Sequence, residues 1–325
     1  MSKLLSELNQ LESILKTSET FMRHRVLGMV RCPDGSEYPV YGVVIGADDP
    51  KKPTLGIFGG VHGLERIGSQ LCLSWLESIV EMIRWDADLI AALKDIRIVA
   101  IPIVNPGGMA LGMRSNPNGV DLMRNSPVEA ELEPAFLLGG HRFSKVLPWF
   151  RGDVSRMEDE SRWLCEFVQK EMFDSELAIA VDLHSGFGSK DRLWYPYARS
   201  TSTFPRLREV LKFKELLDRS YPNHVYSVEP QSLSYTTHGD LWDYLFDAHW
   251  EKHGPESKSI FLPWTLEMGS WLWLKKNPWQ IFSALGPFNP MKEHRFKRTL
   301  RRHRSLLDFF FKVVRNHKAW VGSGP

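Results

Sequence analysis

The sequence predicts an α/β fold, a largely parallel sheet covered by helices on both faces. Three observations lead there. Short apolar, β-branched runs end in glycine or polar residues, as buried strands do, and segments of helical spacing alternate with them. No linker-like change of composition divides the 325 residues, so a single domain over 1–325 is expected.

In chain order, MSKLLSELNQLESILK opens as an amphipathic helix over about 2–20; Glu7 and Glu12 on its polar positions argue for a helix rather than a signal peptide. Segments 38–46 and 54–60 read as strands, and 65–83 as a helix with Ile67, Leu71, Leu73, Leu76, Ile79 and Ile83 on its apolar face. IRIVAIPIV, near 97–104, is a central strand that ends in the turn signal Asn105-Pro106-Gly107-Gly108. From Gly108 to Gly152 no period is sustained, and so long a loop in a compact domain is usually functional. Helix 158–172, strand 177–185, helices 205–219 and 237–249 and strand 260–269 follow. A basic helix over about 291–317 closes the pattern, with Phe296, Leu300 and Leu307 towards the core and its arginines outward.

Apolar residues make up 43%, charged residues 25%, and the net charge is +2, which gives no reason to expect nucleic acid or a membrane as partner. No run approaches 18 apolar residues. Cys32, Cys72 and Cys165 are too few and too scattered for a disulfide framework or a thiolate metal site, and are expected as buried thiols in a cytoplasmic protein. The oligomeric state is left open.

The chemistry gathers where buried strands end, the place where open α/β sheets bind ligands. His62 and Glu65 follow the run ending at Gly60, His184 follows a second run, and Glu267 closes a third. Two histidines and a carboxylate form a catalytic zinc set with a fourth position for water, and a second carboxylate beside it would take that water's proton. Each piece alone has an ordinary reading: a Glu in a helix's first turn, a hydrogen-bonded histidine, a carboxylate paired with a buried cation.

The ordered set His62-x-x-Glu65, Asn105-Pro106 with Arg114, Gly119-Val120-Asp121-Leu122-Met123-Arg124-Asn125, His184-Ser185 and Thr265-Leu266-Glu267 resembles the zinc carboxypeptidases of the carboxypeptidase A type, over roughly residues 40–270. The resemblance implies a mixed eight-stranded sheet between helices. It implies one zinc ion on His62, Glu65 and His184, with Glu267 as general base towards the metal-bound water. Arg114 would stabilise the oxyanion, Arg124 and Asn125 would bind substrate, and Asp121 would hold a ligand histidine. Tyr235 would close over the substrate, with Tyr244 the alternative by spacing.

The family usually carries Asn-Arg where this chain has Met123-Arg124, and a thioether cannot donate the hydrogen bond that the Asn gives a terminal carboxylate. Two substrate classes therefore stay open: a peptide or peptide-like chain losing a terminal residue, and an N-acyl amino acid, because His62-Gly63-x-Glu65 also resembles the succinylglutamate desuccinylase and aspartoacylase group. A non-catalytic binding protein on the same fold is the third reading. His238, His249 and His253 suit no zinc set beside the stronger one.

Overall fold

A run of apolar residues flanked by turn signals becomes a strand only if both its faces find cover, and the longest runs here do. In a computed structural model that describes residues 5–18 and 21–321, the elements run in chain order as α1 (Ser6–Thr17), β1 (Met22–Arg31), β2 (Glu37–Gly46), β3 (Thr54–Gly59), α2 (Arg66–Ile83), α3 (Ala87–Ala92), β4 (Arg97–Ile101), α4 (Pro106–Leu111), α5 (Asp159–Met172), β5 (Leu177–Ser185), β6 (Arg192–Tyr195), α6 (Leu207–Ser220), β7 (Ser227–Pro230), α7 (Leu241–His253), β8 (Ile260–Met268), α8 (Trp271–Lys276) and α9 (Glu293–Arg315). Every residue of β3, β4, β5 and β8 is buried. The strands form one eight-stranded mixed sheet in the order β1-β2-β4-β3-β5-β8-β6-β7. The pairs β4/β3, β3/β5, β5/β8 and β6/β7 are parallel, whereas β1/β2, β2/β4 and β8/β6 are antiparallel.

Helices α2 and α9 pack on each other and on β3 and β5, while α5 and α7 pack on each other and reach β3 and β8. One apolar cluster runs from Leu5, just before α1, to Trp320 after α9. As expected, the three cysteines are buried and free, and Leu307 is buried with Phe296 and Leu300 packed beside it. Among the described residues no helix is long and apolar enough to cross a membrane.

Several boundaries differ from the sequence reading, each for a local reason. The first helix occupies Ser6–Thr17, and residues 2–4, 19 and 20 of the expected 2–20 lie outside the described residues. The helix expected at 237–249 starts at Leu241, because the Asp240 carboxylate caps it by accepting from Trp242 N and Asp243 N. The turn at Asn105 continues into α4, where the Asn105 side chain accepts from Gly108 N at 2.7 Å. Strands β1, β6 and β7 have no counterpart in the sequence reading.

Two glycines bring the site elements together. A Cβ on Gly68, in the first turn of α2, would lie 2.2 Å from the Leu183 carbonyl oxygen of β5. A Cβ on Gly63 would lie 2.2 Å from the Gly108 backbone. Bare backbone at both points lets the turn carrying His62 and Glu65 press against β5 and α4.

Candidate metal centre and catalytic cavity

Parallel strands β3, β5 and β8 end side by side, so whatever follows them meets at one edge of the sheet. His62 stands on the turn after β3, Glu65 at the N-cap of α2, His184 near the end of β5, and Glu267 directly opposite His184 in the β5/β8 register. All four are buried, at 6% exposure or less.

The proton positions on the two histidines follow from their partners. His62 Nε2 lies 2.9 Å from Asp121 Oδ1, and His184 Nε2 lies 2.7 Å from Asp182 Oδ2. Both carboxylates lie well placed to accept, so each ring carries a proton on Nε2 and turns Nδ1 inward, where a neutral ring offers its lone pair. Those Nδ1 atoms lie 3.2 Å apart, with Glu65 Oε1 at 2.9 Å from His62 Nδ1 and Glu65 Oε2 at 3.1 Å from His184 Nδ1. One donor atom from each of the three residues falls within 4.8 Å of the others. Two lone pairs and a carboxylate aimed at one buried point repel each other unless a cation or protons lie between them, and two imidazoles with one carboxylate suit zinc. Among the described residues this is the one group of this kind, and it leaves out His238, His249 and His253.

The surrounding charges support that arrangement. Arg114 donates from Nη1 to Glu65 Oε1 at 2.8 Å and from Nε to Asp121 Oδ2 at 3.0 Å. Despite the opposing cost of burial, neighbouring His62 and Arg114 respectively hold the Glu65 and Asp121 carboxyls well below the usual carboxylate range. Asp182 and Glu65 hold His184 well above the ordinary imidazole value, also against burial. Glu267 goes the other way: burial first, then the Glu65 charge, raise its carboxyl. Its Oε1 accepts from Phe187 N at 2.8 Å.

His62, Glu65, Arg114, His184 and Glu267 line one cavity of about 250 Å³, together with Met123, Arg124, Tyr235, Trp194, Gln231 and Asp240. Arg124 is buried, hydrogen-bonds to the carbonyls of Met123 and Leu138, and forms no ion pair among the described residues. Its guanidinium sits 5.9 Å from the Tyr235 ring centroid. Among the described residues, Arg114 and Arg124 are the only Arg or Lys side chains lining the cavity. Tyr244 does not line it and packs against the apolar core.

Asn125 departs from its expected substrate contact. Its Nδ2 donates to Arg151 O at 2.8 Å and its Oδ1 accepts from Glu158 N at 2.6 Å, so both ends of the amide brace the loop instead of facing the cavity. Asp182 is a site residue that the sequence reading does not include; it lies two residues before His184 on one strand face and also accepts from Trp242 Nε1 at 2.8 Å.

The loop carrying Arg114, Asp121 and Arg124 is pinned from behind. The buried Asn116 accepts from Asn118 N and Val120 N and donates to Glu158 and Glu160 at the start of α5. Burial pushes the Glu160 carboxyl from its ordinary 4.5 up to about 7. The folded state therefore holds this proton where the unfolded chain has lost it, and stability falls as pH rises between those two values, by roughly 3 kcal/mol in total. Glu160→Gln is expected to flatten that decline; denaturant unfolding at pH 5 and pH 8 measures it, and an equal decline in both proteins would contradict the assignment.

A family model described as zinc carboxypeptidase matches residues 27–262. Among curated proteins, the chain is 31% identical over 127 residues to carboxypeptidase E of Caenorhabditis elegans, covering 34% of this chain and 26% of that one. It is 28% identical over 184 residues to the carboxypeptidase N catalytic chain of Rattus norvegicus, covering 51% and 36%. The match thus spans well under half the length of these curated relatives. Among solved structures, bovine thrombin-activatable fibrinolysis inhibitor superposes with a TM-score of 0.67 at 18% identity, covering 96% of this chain and 98% of that one. Carboxypeptidase A from Helicoverpa armigera gives 0.58 at 18%, covering 91% and 71%. At such identities the superpositions speak to the fold, the mixed eight-stranded sheet between helices.

Proposed function

Since the chain belongs to the zinc carboxypeptidase family, we propose that it is a metallocarboxypeptidase-like hydrolase cleaving the terminal amide bond of a peptide or peptide-like substrate. The observation that carries this reading is the convergence of His62 Nδ1, His184 Nδ1 and the Glu65 carboxylate beside Glu267, in a cavity that also contains Arg124, which has no ion pair among the described residues. His62, Glu65 and His184 would hold a single zinc ion. When bound, zinc supplies Lewis-acid chemistry, polarising a carbonyl and making water a nucleophile near neutral pH.

The chain's own groups divide the remaining work. Glu267 takes the proton of the attacking water and delivers it to the leaving amine; its raised carboxyl pKa brings it nearer the working pH of such a base. Arg114, fixed by two carboxylates, presents its positive charge where the oxyanion develops and needs no reorganisation when it does. Asp121 and Asp182 hold the ligand histidines in the tautomer described above. Arg124 binds the substrate's terminal carboxylate, and Tyr235 covers it. Met123 withdraws one donor from that contact, so the guanidinium fork and the Tyr235 hydroxyl carry more of it.

The comparisons are with carboxypeptidases, and a cavity with Asp240 among its walls and, among the described residues, no Arg or Lys beyond Arg114 and Arg124 offers poor balance for a doubly anionic N-acyl amino acid. The test compares release of the last residue from a peptide with a free C-terminus, from its C-terminal amide, and from N-acyl amino acids. Turnover of the first alone is expected; turnover of N-acyl amino acids alone would contradict the reading. Arg124→Gln is expected to raise KM for the free peptide about 10- to 100-fold with a smaller change in kcat. Steady-state kinetics reads that split, and an unchanged KM would remove Arg124 from carboxylate binding.

A further inference from the structure

The net charge of +2 conceals a local asymmetry beside the cavity. Between Met268 and Lys292 the chain has no acidic residue. Over the same stretch Trp271, Trp279, Ile281 and Phe282 are exposed by 55%, 79%, 59% and 82%. Lys275 and Lys276 are exposed among them and form no ion pair among the described residues. Arg295 donates to the carbonyl oxygens of Trp273 and Lys276, which ties the basic start of α9 against α8.

This surface borders the mouth of the cavity. Trp271 Nε1 donates to the carbonyl of Gly186, a cavity-lining residue, and Phe288 lines the cavity just after the exposed tips. A second segment that borders the same cavity through Leu138 and Trp149 carries its own exposed apolar tips, Phe136 (83%), Phe143 (60%) and Val146 (86%).

We propose that this rim is a membrane-docking surface, with the 271–298 segment seated on an anionic lipid bilayer and the cavity opening next to the lipid. Three features favour lipid over other occupants. Trp279, Ile281 and Phe282 stand together on the one short helical turn Pro278–Phe282, so they bury together by dipping into a headgroup layer that conforms to them. Trp and Phe interleaved with unpaired Lys match a bilayer interface, where aromatic rings sit at headgroup depth and cations meet anionic lipid. Trp279, Ile281 and Phe282 are not among the cavity-lining residues, so a substrate held there has no need of them. Trp279 and Phe282 lie side by side with ring centroids 6.0 Å apart, an exposed apolar pair of the kind that marks an interaction surface when it is contiguous.

The proposal does not depend on catalysis, so it is tested on the full chain carrying Glu267→Gln as well as on the active chain. Both are sedimented with vesicles of pure phosphatidylcholine and of equal parts phosphatidylcholine and phosphatidylglycerol. Binding to the anionic vesicles, weakened by salt and reduced about tenfold or more by Trp279→Ser with Phe282→Ser and by Lys275→Glu with Lys276→Glu, is expected. These side chains are exposed, and circular dichroism with peptide turnover reports that each variant is folded. No binding to either vesicle overturns the proposal, as does binding that the variants leave unchanged. A lipid-free dimer that the variants dissociate assigns the rim to a second copy, and a KM for apolar peptides that the variants raise without any vesicle binding assigns it to substrate; either result overturns it.

Discussion

Replacing Glu267 with Gln is expected to lower kcat by about 10²- to 10⁴-fold while zinc content stays at the level of the unaltered chain. The substitution preserves shape, and the side-chain oxygen still accepts from Phe187 N, the bond that orients the native carboxylate at 2.8 Å. What it removes is the ability to hold and hand on a proton. Because His184 faces Glu267 in register across β5 and β8, a collapse of the metal set would lower zinc content along with activity. Metal analysis and turnover on the same preparation separate the two causes. Undiminished turnover would end the assignment of Glu267 as general base; loss of zinc together with activity would make its role structural.

His184→Ala is expected to strip zinc and bring turnover to the background rate, and a chelator should do the same to the unaltered chain, with zinc restoring activity only there. The geometry explains why one side chain matters so much. His184 bridges Asp182 and the Glu65 carboxylate, and without it the donors that remain are His62 Nδ1 and Glu65. Two protein donors in place of three sharply weaken a zinc site. Retention of full zinc and activity by His184→Ala would remove this residue from the metal set.

How much of this was legible in the sequence depended on how strongly burial marked each segment. β3, β4, β5 and β8 are covered on both faces, so their apolar runs were unmistakable, and the polar residues at their ends stood out. That is why His62, Glu65, His184 and Glu267 were legible as a group. β1 has Met22 and Val30 as its only buried residues, and β7, Ser227–Pro230, has none, so neither carries an apolar pattern. β6 is too short, at Arg192–Tyr195, to display one.

Inside the long loop, position along the chain said little about direction. Asp121, Met123 and Arg124 reach the site, while Asn125, the next residue, turns its amide to Arg151 O and Glu158 N. The Asn116 brace against α5 and the Asp240 wall of the cavity arise from contacts far apart in sequence, which no local pattern announces. Asp182 was within reach: a carboxylate in the middle of an otherwise apolar strand needs a partner, and His184 two residues on supplies it. The apolar rim at 271–282 is not legible in the sequence because its residues resemble core residues in composition, and only their exposure distinguishes them.

The most direct measurement is anomalous scattering at the zinc edge from crystals of the chain grown with zinc. A single strong peak is expected between His62 Nδ1, His184 Nδ1 and the Glu65 carboxylate, within about 2.0–2.2 Å of its donor atoms. A zinc peak elsewhere with none at this point, in crystals where these three side chains are ordered, would contradict the account.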